Sequence, residues 1–231
     1  MTSTSASSWF STPGICRTSV SAAAPAASSS LCLFFPPGLK KLCTDGKGKV
    51  RCELSYSRDL VKWERILPGS SLIPHGIEHQ DFDSHMCYAG AHPVKLPSGD
   101  IRMYYMGADG PHYSWGENKK NCSYGFASLR PDGFVGVTQA TQAASVGKTK
   151  PVNATGGTLL VTADTAAAGA ALAVRVVFAG KTTPCALLKG ADVTDHALSG
   201  CDLHALGAVG KEVVLELEMA GGAVLYTFGF R

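Results

Sequence analysis

Apolar and polar positions alternate with a period of two through much of the chain. In the middle of the chain this alternation is clearest in three runs, Cys87–Lys95, Ile101–Gly107 and Ser123–Leu129, which are separated by turns rich in Pro, Gly and Asn. Alternation of this kind is typical of half-buried β-strands. The middle of the chain is therefore predicted to form a twisted antiparallel sheet whose loops present polar groups at a rim.

A β-hairpin is predicted just before this sheet. In the run Val50–Ser57, positions 50, 52, 54 and 56 are apolar on one face, and positions 51, 53, 55 and 57 are polar on the other. Asp59 is expected to accept hydrogen bonds from backbone N–H groups in the following turn, while Trp63 opens the returning strand. Asp132 follows a strand-like run in the same way. Such a repeat, with long loops, suits the four-stranded blade of a β-propeller.

The last third of the chain has its own set of alternating runs. A short run rich in alanine, Asp164–Ala173, is predicted to be a loop because Gly169 interrupts it. Gly221-Gly222 is predicted to close the last two strands into a hairpin. Residues 146–231 are thus predicted to form a compact β-sandwich. Its strands are expected at Gly157–Ala163, Ala171–Phe178, Lys211–Met219 and Ala223–Phe230.

Residues 1–38 differ from the rest because they are rich in Ser, Ala and Pro and contain Arg17 but no acidic residue. This composition is typical of an organelle transit peptide, which would direct the protein to a plastid; secretion, or a stretch foreign to the natural domain, are the alternatives. The segment is predicted to be disordered and to lie outside the fold. The chain is accordingly divided into 1–38, a partial propeller at 39–145, and the sandwich at 146–231.

Composition narrows the class of protein. Val, Tyr, Phe, Thr and Trp dominate the periodic runs, so the fold class is all-β. The net charge is only +3 and no basic run exceeds two residues, which argues against nucleic-acid binding. No run approaches the roughly 20 apolar residues of a membrane span. The eight cysteines include no C-x-x-C pair. Disulfides are permitted in a secreted protein, but small buried side chains are the simpler expectation.

Several short phrases together resemble one enzyme family. Ser57-Arg58-Asp59 with Trp63, followed by FDS, YY, DGPH and LRPDGF, is similar to the five-bladed β-propeller of glycoside hydrolase families 32 and 43. The likeness is greatest to relatives described as family 32 N-terminal-like. The phrase GKEVVLELEMAGGAVLYTFGF, Gly210–Phe230, resembles the end of the β-sandwich that follows the propeller in that family. The resemblance covers about residues 48–231. It implies one to two propeller blades followed by a C-terminal β-sandwich.

The acidic motifs that this family uses for hydrolysis are not matched. The WMNDPNG-like motif of the first blade is absent, Arg130-Pro131-Asp132 does not reproduce RDP, and Cys52-Glu53 reverses Glu-Cys. We therefore expect a glycosidase-like, carbohydrate-active protein that is a C-terminal fragment, a truncated gene model or a degenerate paralogue, without the catalytic nucleophile. So few blades would leave an apolar face exposed, and a partner or the sandwich is expected to cover it.

Four residues are predicted to contact carbohydrate: Asp83, Asp109, His112 and Tyr113. Carboxylates and imidazoles pair well with sugar hydroxyls, and a sugar face stacks on an aromatic ring such as Tyr113. The competing interpretation is that the two aspartates cap turns and that His112 fixes a loop. A non-catalytic carbohydrate-binding or interaction module, in which the sandwich binds, is the alternative function, and a fragment without a stable fold is the third.

Two further groups of residues are candidates for catalysis or metal binding. Hydrolysis needs two carboxyl groups roughly 5–10 Å apart, and Glu78, Asp81 and Asp83 are close enough in sequence to supply them, although a solvated acidic loop is the simpler interpretation. His75, His79, His85 and His92 form a candidate metal cluster, and His75 and His79 have a spacing that binds zinc on a helix, but Pro74 and Gly76 disfavour a helix there. No metal and no cofactor are therefore predicted.

Overall fold

The structure is a computed structural model that describes residues 8–9, 17–21, 30–34, 48–57, 59, 61–90, 92–112, 120–139 and 143–231. Every regular element in these residues is a β-strand, which confirms the predicted all-β class. Within the same residues no helix is long and apolar enough to cross a membrane. The chain folds as two units, residues 1–130 and 131–231. The three-part division predicted from the sequence stays a prediction.

The first sheet of the first unit is antiparallel, with its strands in chain order. It contains β1 (Ser8–Trp9), β2 (Arg17–Ser21), β3 (Ser30–Phe34), β4 (Glu53–Ser57) and β5 (Glu64–Arg65). Here the structure differs from the expectation that residues 1–38 lie outside the fold, because β1, β2 and β3 come from that segment. β3 pairs with β4 along the full length of both, from Ser30↔Ser57 to Phe34↔Glu53. Without β3, the backbone N–H and C=O groups on this edge of β4 would have no hydrogen-bond partners in the sheet; pairing with β3 supplies those partners.

Both faces of β4 are buried, whereas the alternation had indicated one apolar and one polar face. Leu54 is buried, and so are the polar residues Glu53, Ser55 and Ser57. A carboxylate is buried at low cost only when it is paired. The Glu53 carboxylate accepts hydrogen bonds from the Arg65 guanidinium and, at 3.1 Å, from the backbone N–H of Gly69. Tertiary partners therefore override the alternation at this strand.

The turn that follows β4 forms as predicted. The Asp59 carboxylate accepts hydrogen bonds from the backbone N–H groups of Val61 at 2.9 Å and Lys62 at 2.8 Å. These bonds, the one from Lys62 first, hold the pKa of Asp59 below its usual range because they stabilise the charged form. Asp59 thus acts as the turn residue that the sequence indicated.

The second sheet of the first unit is built around one long strand. Its members are β6 (Met86–Ala89), β7 (Val94–Lys95), β8 (Ile101–Ala108) and β9 (Cys122–Leu129). β9 pairs with all eight residues of β8 on one side, and β6 and β7 share the other side. The single predicted strand Cys87–Lys95 is therefore wrong, because it is two strands. Pro93 lacks a backbone N–H and cannot continue the ladder across this gap.

The second unit is a β-sandwich, as predicted. One sheet has the order β10-β19-β13-β17, and the other has the order β11-β18-β14-β15, with β12 also paired to β18 and β16 to β14. Leu159 and Leu225 from the first sheet share one core with Val174 and Leu215 from the second. The strands are β10 (Val137–Thr138), β11 (Ser145–Lys148), β12 (Val152–Asn153), β13 (Leu159–Asp164), β14 (Ala171–Phe178), β15 (Lys181–Pro184), β16 (Leu188–Lys189), β17 (Asp192–Ala197), β18 (Glu212–Ala220) and β19 (Val224–Phe230).

The predicted hairpin at Gly221-Gly222 is wrong, although the turn exists. β18 pairs with β14, β11 and β12, whereas β19 pairs with β13 and β10, so these consecutive strands belong to opposite sheets. Alternation shows that each strand has one buried face, but it cannot distinguish a neighbour in the same sheet from one across the core. Gly221 has φ +61°, and a Cβ there would run into the backbone carbonyl of Gly169.

The two glycines of this turn are expected to differ in their tolerance of a side chain. Both have positive φ, but a Cβ at Gly222 would meet no atom within 4 Å. We expect Gly221→Ala to be less stable than Gly222→Ala by about 1–3 kcal/mol, because the added methyl group forces the Gly169 backbone to move. Urea unfolding of the two variants measures this difference. Equal stability would show that the close approach to Gly169 is absent.

The five cysteines whose side chains the structure describes lie in three environments. Cys185 and Cys201, which are 16 positions apart, form a disulfide in the second unit. Cys52 and Cys87 are free and buried in the first unit, and Cys122 is free and exposed. The expectation of small buried side chains is thus confirmed for Cys52 and Cys87, and a disulfide occurs as well.

Candidate functional site

Polar side chains collect at one end of the sheet around β8. Asp83 and His85 precede β6, Asp109 follows β8, and Asn121 precedes β9. Because Met86, Ala108 and Cys122 are register partners across these antiparallel strands, the three strand ends meet at one edge. Glu78 reaches the same edge from the preceding loop. These five residues, Glu78, Asp83, His85, Asp109 and Asn121, are called the loop-end cluster below.

Asp83 and His85 are the buried members of the cluster, and 8% of the Asp83 surface is exposed. Its carboxylate accepts a 2.6 Å hydrogen bond from the hydroxyl of Tyr105. Burial of the ring, followed by this bond, raises the pKa of Tyr105. Gly107 lies against Asp83, since a Cβ at Gly107 would come within 2.5 Å of the Asp83 Cβ. The placement of Asp83 supports the structural interpretation, in which it braces the loop against β8.

His85 connects the cluster. Its Nε2 lies 3.6 Å from Oε1 of Glu78, whose side chain is 40% exposed, and its Nδ1 lies 3.2 Å from the hydroxyl of Ser84. Ser84 is fully buried, so a substrate cannot reach that hydroxyl as a nucleophile. From the sequence, Glu78 is expected in an acidic loop and His85 in a candidate metal cluster, and neither is predicted as a carbohydrate ligand. The sequence feature that could have indicated His85 as a site residue is its position directly before a strand.

Asp109 is half-buried and is held in place by one neighbour. Its Oδ1 accepts a 2.7 Å hydrogen bond from the backbone N–H of Asn121, and its Oδ2 accepts one of 2.8 Å from the Asn121 side-chain amide. The side-chain bond is the main cause that lowers the pKa of Asp109, and the charge of nearby His85 contributes less. Asp109 is therefore ionised at neutral pH, and each of its oxygens retains a lone pair for a further donor.

His112 lies in the loop after β8 and is half-buried. Its backbone N–H donates to the carbonyl of Gly48 at 3.0 Å, and its carbonyl accepts a 2.9 Å bond from Lys120 Nζ. Its ring centroid is 6.5 Å from that of Tyr88 on β6. Tyr113, the fourth predicted site residue, lies outside the described residues.

The remaining acidic and histidine candidates have local structural roles. Asp81 accepts a 2.6 Å hydrogen bond from the backbone N–H of Ile77 and so closes a turn. His75 donates from Nε2 to the Val50 carbonyl at 2.8 Å, and burial lowers its pKa. His79 is exposed in a turn with φ +64°. In the described part of the chain no group of three or more His, Cys, Asp or Glu side chains could hold a metal ion.

The chemistry available to the loop-end cluster is polar recognition. Hydrolysis of a glycosidic bond needs one carboxyl group with a raised pKa as the acid and a second carboxylate opposite it. Asp109 has a lowered pKa, and Asp83 is buried against Tyr105. By contrast, Asp109 and Glu78 present partly exposed carboxylates around His85 and can accept hydrogen bonds from a hydroxylated ligand.

The pKa of Asp109 gives a direct test of this geometry. Asn121→Ala removes the side-chain donor, and we expect the Asp109 pKa to rise towards its ordinary value. A lowered pKa stabilises the fold above the unfolded-state value of about 4, and this stabilisation is lost as the pH falls through the folded-state pKa. The variant should therefore lose less stability on acidification. Carbon NMR of the Asp109 carboxyl group measures the shift.

Asp59 serves as the internal control for that titration, because its lowered pKa depends on its own turn. Its pKa should not move in the Asn121→Ala variant. An unchanged Asp109 pKa in the same sample would mean that Asn121 does not hold the carboxylate.

The chain was compared with protein-family models, with curated proteins and with solved structures. None of the three comparisons finds a match.

Proposed function

We propose that the first unit binds carbohydrate at the loop-end cluster without hydrolysing it. The observation that carries this proposal is the ionised, half-buried Asp109, fixed by two hydrogen bonds from Asn121 beside His85 and Glu78. Sugar hydroxyls donate readily to such a carboxylate, and the Tyr88 ring near His112 offers an apolar surface. The substrate class comes from the sequence resemblance to glycoside hydrolase families 32 and 43.

Binding without turnover agrees with both the sequence and the site. The family's acidic motifs are unmatched, and the pKa of Asp109 is shifted in the direction opposite to that of a general acid. The chain would then correspond to the C-terminal part of a glycosidase-like protein that retains sugar recognition and lacks the nucleophile. The predicted role of Asp109 as a ligand for carbohydrate is kept in this proposal, and that of Asp83 is reduced to support.

The test compares two aspartates at opposite ends of β8. Asp109→Asn removes the charge in the cluster, and Asp100→Asn makes the same change in the turn before Ile101, where Asp100 accepts a hydrogen bond from Ser98. Hydrogen bonds to charged groups contribute about 1.5–3 kcal/mol, so we expect Asp109→Asn to weaken glycan binding at least about tenfold. Asp100→Asn should leave binding unchanged.

The measurement is titration calorimetry of the full chain with fructose- and arabinose-containing oligosaccharides found on a glycan array. Equal affinity of the two variants for the glycan would show that the binding site is not the loop-end cluster and lies elsewhere, for example in the sandwich. Absence of any glycan binding would overturn the proposal. Release of free sugar by the purified chain would contradict the non-catalytic assignment.

A further inference from the structure

The strand β9 forms an edge that is long, regular and uncharged. It is eight residues long, with the sequence CSYGFASL, and among the described residues it pairs only with β8. Its outer face is aromatic and open, because Tyr124 is 84% exposed and Phe126 is 56% exposed. Exposed edge strands usually carry Lys, Pro or a bulge that prevents pairing with another chain. β9 has none of these, and its register with β8 runs without interruption.

The direction of the free backbone groups on β9 follows from its pairing with β8. The backbone N–H of Asp109 donates to the carbonyl of Asn121, so odd-numbered residues of β9 direct their N–H and C=O groups towards β8. Even-numbered residues direct theirs away from the sheet. The outward-facing groups therefore belong to Cys122, Tyr124, Phe126 and Ser128.

These four residues are complementary to themselves in an antiparallel arrangement. If a two-fold axis passes beside Gly125, Tyr124 of one copy lies opposite Phe126 of the other, and Cys122 lies opposite Ser128. Every outward-facing N–H and C=O of the strand then has a partner in the other copy. The same register keeps the aromatic side chains of both copies on one face, and cross-strand aromatic pairs stabilise sheets.

The aromatic face would be continuous across such a pair. Within one chain Tyr104 and Phe126 are in edge contact, with ring centroids 6.2 Å apart, and the Arg102 guanidinium lies 4.3 Å from the Phe126 ring. The Tyr124 ring of the second copy would extend this row and cover part of the exposed surface. The absence of charge on β9 removes the like-charge repulsion that two identical strands could otherwise have.

We propose that β9 is a self-association edge, and that two copies of the chain pair antiparallel through it about Gly125 to form one continuous sheet. The partner expected from the sequence to cover an open apolar face is then a second copy. This inference is independent of carbohydrate binding, because it uses the edge and outer face of β9 and not the loop-end cluster.

The Tyr124→Pro variant tests pairing at the β9 edge without changing the pairing of β9 with β8. The Tyr124 N–H points away from β8, so a proline there removes an outward donor and leaves the β8 ladder intact. Sedimentation of the full wild-type chain should show a species of about twice 24.1 kDa, and the variant should sediment as a monomer. A wild-type monomer throughout the micromolar range, or a dimer that Tyr124→Pro leaves unchanged, would overturn the proposal.

Cross-linking tests the register even where the proline variant fails to fold. In the proposed pair the Cα atoms of Cys122 and Ser128 of the other copy are about 5.5 Å apart, which a disulfide can span. Ser128→Cys should give a cross-linked dimer on mild oxidation by a small disulfide such as oxidised glutathione, which is reduced to two thiols as the bridge forms. Wild type and the Ser123→Cys variant should not cross-link. In both proteins each cysteine of one strand lies several residues along the paired strands from the nearest cysteine of the other copy. Equal cross-linking of Ser123→Cys and Ser128→Cys would exclude this register.

Discussion

Replacing Leu215 with Ala is expected to lower the free energy of unfolding of the second unit by about 2–5 kcal/mol. Leu215 lies at the middle of β18 and is fully buried in the core shared by the two sheets of the sandwich. The change removes apolar surface from that core and leaves a cavity, and rigid strands on both sides limit how far the cavity can collapse. A loss of this size is a large share of the stability of a domain of this size.

Leu187→Ala is the matched control, because it deletes the same atoms from a side chain that is 51% exposed. Amide hydrogen exchange of β14 and β18 in the full chain reports the opening of the sandwich itself. The Leu215→Ala variant should exchange much faster at these amides than wild type, and Leu187→Ala should resemble wild type. Similar exchange in the two variants would mean that Leu215 does not belong to the shared core.

Removing the disulfide is expected to have an effect of comparable size. Cys185 and Cys201 close a loop of 16 positions, and constraint of such a loop in the unfolded chain contributes about 3 kcal/mol. The double variant Cys185→Ala/Cys201→Ala should therefore unfold at a lower temperature, by several degrees per kcal/mol. Calorimetry of the full chain with and without a reductant measures the change.

The reductant also supplies the control. It should lower the unfolding temperature of wild type towards that of the double variant and leave the double variant itself unchanged. A reductant that affects both proteins equally would show that the loss arises elsewhere. If neither the variant nor the reductant changes unfolding, the bridge contributes nothing to the stability of the sandwich.

Local patterns in the sequence predicted the strands well and their partners poorly. Alternation predicted the bounds of β14 as observed and those of β8 within one residue, because both strands carry one buried face along their length. The placement of β18 and β19 in opposite sheets is decided by packing across a core. The pairing of β3 with β4, and the burial of Glu53 by Arg65, likewise depend on residues distant in sequence.

In the candidate site, likewise, a residue was predicted from its local sequence but its contacts were not. Asp109 was predicted because a polar residue at the end of an apolar strand is visible in the sequence. Its partner Asn121 was not predicted, since the contact forms only when β9 returns beside β8. The burial of Asp83 was not predictable either, because its hydrogen-bond partner Tyr105 lies on β8, far from Asp83 in the sequence.

The turn at Gly221-Gly222 has a consequence for how the sandwich is assembled during synthesis. It places β18 and β19, the last two strands, inside their sheets, where β18 separates β11 from β14 and β19 separates β10 from β13. While residues 212–230 are still within the ribosome, the strands already emerged have a gap at the centre of each layer. The sandwich can therefore close only after translation of these residues, and until then its early strands expose apolar surface that chaperones recognise.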